Sequence, residues 1–174
     1  MKKINILLLL FSMLTNVVYA ESKIDVMFSP YDHSEDLVLK VINSAHNSIC
    51  MATYSFTLPS IAKALVAAKK RGVDVKIVSD YRSNIRKYTV TRYLANQGVN
   101  IRLNDNYAIM HNKFIVVDNK TTETGSLNYS QAATKMNAEN ILILWDNPQI
   151  ASKYSTECMR LFNEGTILKA SYQF

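Results

Sequence analysis

A histidine and a lysine two residues apart, His111-Asn112-Lys113, open an apolar run, Phe114-Ile115-Val116-Val117, that closes on Asp118. Gly125-Ser126-Leu127-Asn128 follows, and Glu139 lies further downstream. Imidazole can act as a nucleophile or proton shuttle near neutral pH, and an amine and an amide can hold an anion. With no carboxylate cluster to hold a metal, this set suits attack on a phosphate. Cleavage of a phosphodiester by that route needs two histidines, and the chain offers one such motif. His33 falls in an expected loop and His46 near a helix C-terminus, neither with comparable company, and no ligand spacing fits zinc.

Strand geometry assigns the roles. Side chains alternate along a strand, so His111 and Lys113 share a face if the strand reaches back that far. Asp118 has the opposite parity and lies about 23 Å along, at about 3.3 Å per residue. It belongs to the candidate catalytic motif, yet it cannot easily touch its own His111 and reads as a structural or orienting residue. Gly125 to Asn128 reads as a tight turn opening a short helix, where the Ser126 hydroxyl, the Asn128 amide and local N–H groups can surround phosphate oxygens. The same residues also suit an ordinary helix cap. Glu139 is the candidate to hold the second nitrogen of His111 and fix its tautomer.

The elements that must position these residues alternate. Strands are expected over Ile24–Phe28, Ile49–Tyr54, Val73–Ser79, Val99–Leu103, Lys113–Asp118 and Glu139–Trp145. Helices are expected over Ser34–Ser48, from Pro59 to the stop at Gly72, over Asn84–Gln97, and over Pro148–Asn163. The tail after Gly165 is ambiguous. The alternation predicts an α/β fold, a single domain with parallel strand pairs and helices on both faces of a mixed β-sheet. Tyr81 to Tyr93 interleaves basic and aromatic residues. It suits either a nucleic-acid groove or an amphipathic helix with Ile85, Val90, Tyr93 and Leu94 inward. Lys69-Lys70-Arg71 reads as a charge cluster at a helix C-terminus.

Composition bounds the setting of that domain. The chain has 174 residues. Lys2 and Lys3, the apolar Ile4–Phe11 and the small residue at Ala20 predict a signal peptide over 1–20, cleaved to leave a domain over 21–174 in the periplasm or outside the cell. Without Lys2 and Lys3 the balance is 18 basic against 14 acidic residues, net +4. That mild bias favours an anionic partner, nucleic acid or an acidic membrane surface, and does not choose between them. Export would permit a disulfide, but Cys50 in a strand-like run and Cys158 on an expected helix read as two separately buried thiols.

The pattern H-x-K-x4-D followed by G-S-x-N resembles the signature of the phospholipase D superfamily. Tyr54-Ser55-Phe56 and the stretch from Ala64 to Val78 are similar to the superfamily's small bacterial endonucleases. The resemblance implies a metal-independent phosphodiesterase, needing no cofactor and working through a covalent phosphohistidine. By that likeness His111 is nucleophile or acid partner, Lys113 and Asn128 bind phosphoryl oxygens, Ser126 supports them and Glu139 orients His111. Larger members carry two motifs, so one motif implies a homodimer sharing one active site. The expected activity is sequence-nonspecific cleavage of DNA or RNA. The alternatives are a phospholipase D acting on phosphatidylcholine-type lipids at a membrane surface, and a non-catalytic basic binding protein of the same fold.

Overall fold

The computed structural model describes residues 23–86 and 90–171. The expected signal segment, Lys87-Tyr88-Thr89 and the last three residues lie outside the described residues. In chain order the elements are β1 (Ile24–Ser29), α1 (Ser34–Asn43), β2 (Ser48–Thr53), α2 (Pro59–Lys70), β3 (Asp74–Asp80), α3 (Tyr81–Asn84) and α4 (Val90–Asn96). They continue with β4 (Asn100–Asn104), β5 (Phe114–Val117), β6 (Thr121–Gly125), α5 (Gln131–Lys135), β7 (Glu139–Leu144), α6 (Pro148–Glu164) and β8 (Thr166–Ile167). The eight strands make one mixed sheet in the order β1-β7-β6-β5-β2-β3-β4-β8.

Both sheet faces are buried, which explains the unbroken apolar run of β5. Ile115 and Val117 pack with Ile49, Met51, Val75 and Ile77 beneath α1 and α2, while Phe114 and Val116 pack with Ala52 and Val78 against α6. The α/β class and the two helical layers match the sequence expectation. The strand pairing differs in part: β2, β3 and β4 are parallel neighbours, whereas β1 pairs antiparallel with β7 at the far edge. Sequence alternation therefore marked crossovers correctly without showing that the first strand leaves the parallel set.

Several boundaries move for identifiable reasons. Helix α1 ends at Asn43, because the N–H groups of His46, Asn47 and Ser48 turn to the Asp118 carboxylate at 2.7–2.9 Å instead of continuing the helix. Strand β6 escaped the sequence reading, since Thr121-Thr122-Glu123-Thr124-Gly125 holds no apolar residue although its first three side chains are buried. The expected helix over Asn84–Gln97 is instead the single turn α3 and the short α4; Leu94 is buried, but Tyr93 faces outward.

The two cysteines also depart from expectation. Cys50 of β2 and Cys158 of α6 form a disulfide with their Cα atoms 6.2 Å apart. The parity of β2 turns Cys50 toward the α6 face, where the buried Cys158 meets it. Reading each cysteine on its own element could not reveal that the two elements are layered on each other.

Candidate active site

One end of the sheet gathers every candidate site residue except Asp118. The chain leaves β2 into Tyr54–Leu58, leaves β4 into the segment that carries His111 and Lys113, and leaves β6 into Ser126–Ser130, while Glu139 opens β7. Strand β5 starts at Phe114, so His111 and Lys113 sit in the segment before the strand. Their side chains meet all the same. The Lys113 ammonium lies 3.1 and 3.3 Å from the two ring nitrogens of His111 and donates to the His111 carbonyl oxygen at 2.8 Å.

Lys113 is 6% exposed while His111 is open to solvent. Burial lowers the Lys113 ammonium below the usual lysine range, and the negative charge of Glu139 opposes that fall. The Tyr54 ring centroid stands 4.6 Å from that of His111, with the Lys113 amine 5.6 Å from the Tyr54 ring. Aromatic, imidazole and cation therefore form one cluster, in which a desolvated charge acts more strongly on a bound anion than it would in water.

The opposite wall is held by Glu139. Its carboxylate accepts from the Ser126 hydroxyl at 2.6 Å and from the Asn137 amide at 3.1 Å, and Ser126 Oγ in turn accepts from the Asn140 N–H at 3.0 Å. Within one chain Glu139 thus turns to Ser126, and the nitrogens of His111 meet Lys113. The Asn128 amide oxygen is enclosed, without a hydrogen-bond partner among the described residues. Gly125 to Asn128 does not open a helix directly: Gly125 ends β6, and α5 begins at Gln131, capped by Ser130. A Cβ on Gly125 would clash with the Asn140 carbonyl oxygen, so the close approach the glycine permits is to β7.

Asp118 stands at the other end of β5, its carboxylate engaged by the 46–48 turn. Burial alone would raise its pKa, but the N–H donors of Ser48, His46 and Asn47 hold it below the usual carboxylate range. Its stabilising contribution is therefore present above that range and is lost as pH falls through the lowered value. Asp118→Ala is expected to cost about 1–2 kcal/mol by leaving those donors without their acceptor. Its kcat should stay within a few-fold of the parent. Paired thermal melts and steady-state assays check both, and a kcat collapse in a folded variant would return Asp118 to the chemistry.

Sequence reasoning gave no role to three residues that shape this rim. Tyr54 packs on His111 from just beyond β2. Asp80, buried at the end of β3, accepts from the Ser83 N–H at 2.8 Å and the Met110 N–H at 3.1 Å, fixing the residue before His111. Asn84 donates to the carbonyls of Tyr54 and Asp80 and accepts from the Phe56 N–H. A usable signal existed in Asp80-Tyr81-Arg82-Ser83, since an acid at the end of an apolar strand can cap the helical turn that follows it.

A buried amine against an exposed imidazole, with a hydroxyl and an amide at the same end of the sheet, suits attack on a phosphodiester. The comparisons name the family. The family described as cardiolipin synthase, PLD-like domain, matches residues 38–162. The fold superposes on the phospholipase D family member Nuc from Salmonella typhimurium with a TM-score of 0.83 and 44% identity, covering 86% of this chain and 100% of that one. NucT from Helicobacter pylori superposes with a TM-score of 0.75 and 27% identity, covering 85% and 100%. A phospholipase D of Rickettsia bellii is 35% identical over 136 residues, 78% of this chain and 67% of that protein. A mitochondrial cardiolipin hydrolase of Xenopus tropicalis is 34% identical over 148 residues, 83% and 69%. This chain belongs to the phospholipase D superfamily.

Proposed function

We propose that the protein is an exported, metal-independent nuclease that cleaves DNA or RNA without sequence preference, working as a homodimer through a phosphohistidine. The contact of buried Lys113 with exposed His111 carries this reading, because it places a fixed cation beside a nucleophile. One His111 attacks phosphorus, and the P–O bond to the leaving group breaks as the N–P bond forms. The partner subunit's His111, protonated beforehand, gives its proton to the leaving oxygen. That ring, now neutral, takes a proton from water; the water oxygen attacks phosphorus and the N–P bond breaks. Lys113 and Asn128 hold the non-bridging oxygens, where fixed donors supply most of the stabilisation of phosphoryl transfer. Ser126 supports them, and Glu139, which holds the Ser126 hydroxyl and whose charge reaches Lys113, positions that side of the site.

A surface suited to the second copy adjoins the site. Across the sheet, Val26 aligns with Leu142, Thr124, Phe114 and Ala52, so Ile24, Val26 and Phe28 lie on the α6 face. Helix α6 lies over β2 to β6, while Ile24, Val26 and Phe28 on edge strand β1 are 55%, 51% and 60% exposed. An apolar strip of that kind is a natural seat for a partner chain.

Nucleic acid is favoured over lipid by the likeness to Nuc over 86% of the chain and by exposed Tyr81, Arg82 and Arg86 just beyond β3. Such residues give phosphate contacts and a stacking surface. The relatives named phospholipase D and cardiolipin hydrolase favour the second reading, a lipid phosphodiesterase. Offering the purified protein plasmid DNA, single-stranded DNA and phosphatidylcholine side by side, with excess EDTA, tests both. DNA cleavage undiminished by the chelator is expected. Preferential release of choline would replace the substrate, and loss of activity restored only by a divalent ion would remove the metal-independent mechanism.

A further inference from the structure

A carboxylic acid lies in the apolar core directly behind the site, and the mechanism above does not use it. Glu123 is 1% exposed on β6, aligned with Ile115 of β5 and Ile143 of β7 on the face covered by α1 and α2. Among the described residues, the hydroxyl of Tyr129 is its hydrogen-bond partner and donates to Oε2 at 2.6 Å. Tyr129 is itself fully buried, edge-on to Phe56 with ring centroids 6.1 Å apart.

Burying a carboxyl among isoleucines is costly unless a hydrogen bond offsets it. What this bond fixes is visible in the main chain of Tyr129. Its N–H donates to the Ser55 carbonyl at 3.2 Å, and its carbonyl accepts from both Thr57 and Leu58 at 2.9 and 3.0 Å. Tyr129 is therefore the clasp between the two loops that face each other across the site. One loop carries Tyr54, packed on His111. The other carries Ser126 and Asn128, the latter adjacent to Tyr129 in the chain. Without its hydroxyl anchored in the core, the clasp could shift along the loop it holds, and the Asn128 amide would shift with it.

We propose that Glu123 and Tyr129 form a positioning pair, in which a core carboxyl holds the Tyr129 hydroxyl and thereby sets the separation between the His111–Tyr54 side and the Ser126–Asn128 side. The proposal rests on those two sides binding one phosphodiester. Burial pushes the Glu123 carboxyl up to about 7, with the Tyr129 hydrogen bond opposing; Tyr129 is the titratable group acting on it among the described residues. A raised folded-state value means that stability is highest while Glu123 stays protonated. It falls as pH rises from the ordinary glutamate range through about 7.

The test uses the full-length protein and bis-para-nitrophenyl phosphate, with kcat, KM and thermal melts measured for each variant. Tyr129→Phe removes only the hydroxyl and is expected to stay folded with kcat reduced about tenfold, less than the roughly hundredfold that a 1 Å misplacement can cost. Glu123→Gln keeps an oxygen acceptor for that hydroxyl. It should retain kcat within threefold while losing part of the fall in melting temperature between acid and neutral pH. Glu123→Leu should match Tyr129→Phe in kcat, and the double variant should be no worse than either single one. A folded Tyr129→Phe with parental kcat overturns the proposal, as does a tenfold loss in folded Glu123→Gln. If Glu123→Leu does not fold, the other two variants decide. An inactive parent would instead strike at the phosphodiesterase reading itself, so the two failures are distinguishable.

Discussion

Replacing His111 by asparagine is expected to reduce turnover at least about ten-thousand-fold while leaving the fold intact, the scale seen when a covalent nucleophile is removed. The ring is exposed and is held by Lys113 and Tyr54 outside the apolar core, so its loss opens no cavity. A shared site makes a second, sharper prediction from the same variant. When equal amounts of parent and His111→Asn protein exchange subunits, about a quarter of the dimers carry two intact histidines, and total activity should fall to about one half of the unmixed sum. Independent sites would leave the sum unchanged. Retained turnover in the pure variant would remove His111 from the chemistry altogether.

The disulfide gives the largest expected effect on stability. Cys50 and Cys158 are 108 residues apart, and closing a loop of that size stabilises a fold by about 5 kcal/mol in the chain-entropy account. For a domain of this length that corresponds to a fall of about 10–20 °C in melting temperature on Cys50→Ala/Cys158→Ala substitution. The bridge fastens α6 to β2, whose end leads into Tyr54, so the double variant should lose thermal resistance before it loses kcat at low temperature. Melting curves of the two proteins under non-reducing conditions check this. Coincident curves, or two titratable thiols in the unfolded parent, would show that the bridge contributes nothing.

Legibility in the sequence followed the physics of each residue. Strand β5 was plain because burial on both faces leaves four apolar residues in a row, and α2 because Pro59 starts it and Gly72 follows its end with φ +94°. The chemistry at His111 and Lys113 was legible because an imidazole, an amine and an amide-bearing turn stand close in sequence with no carboxylate cluster to hold a metal. The supporting role read for Asp118 came from strand parity and length, and the structure places its carboxylate on the 46–48 turn. What stayed hidden depends on contacts between distant segments. Tyr54 meets His111, Cys50 meets Cys158 and Glu123 meets Tyr129 only once the sheet is assembled, and no local period encodes those meetings. Strand β6 was lost for a related reason: a glutamate reads as solvent-facing until its buried partner is known.

Gly125 shows how a signature mixes two kinds of information. Because the Asn140 carbonyl leaves no room for a side chain there, the glycine is demanded by the seam between β6 and β7 and would be demanded whether or not any phosphate were cleaved. A descendant of this chain that had surrendered catalysis would keep Gly125 for as long as it kept its sheet, while His111 and Lys113 would be free to drift. Tallying signature letters therefore overstates the evidence for activity. The glycine certifies the scaffold, and only the histidine–lysine pair certifies the trade.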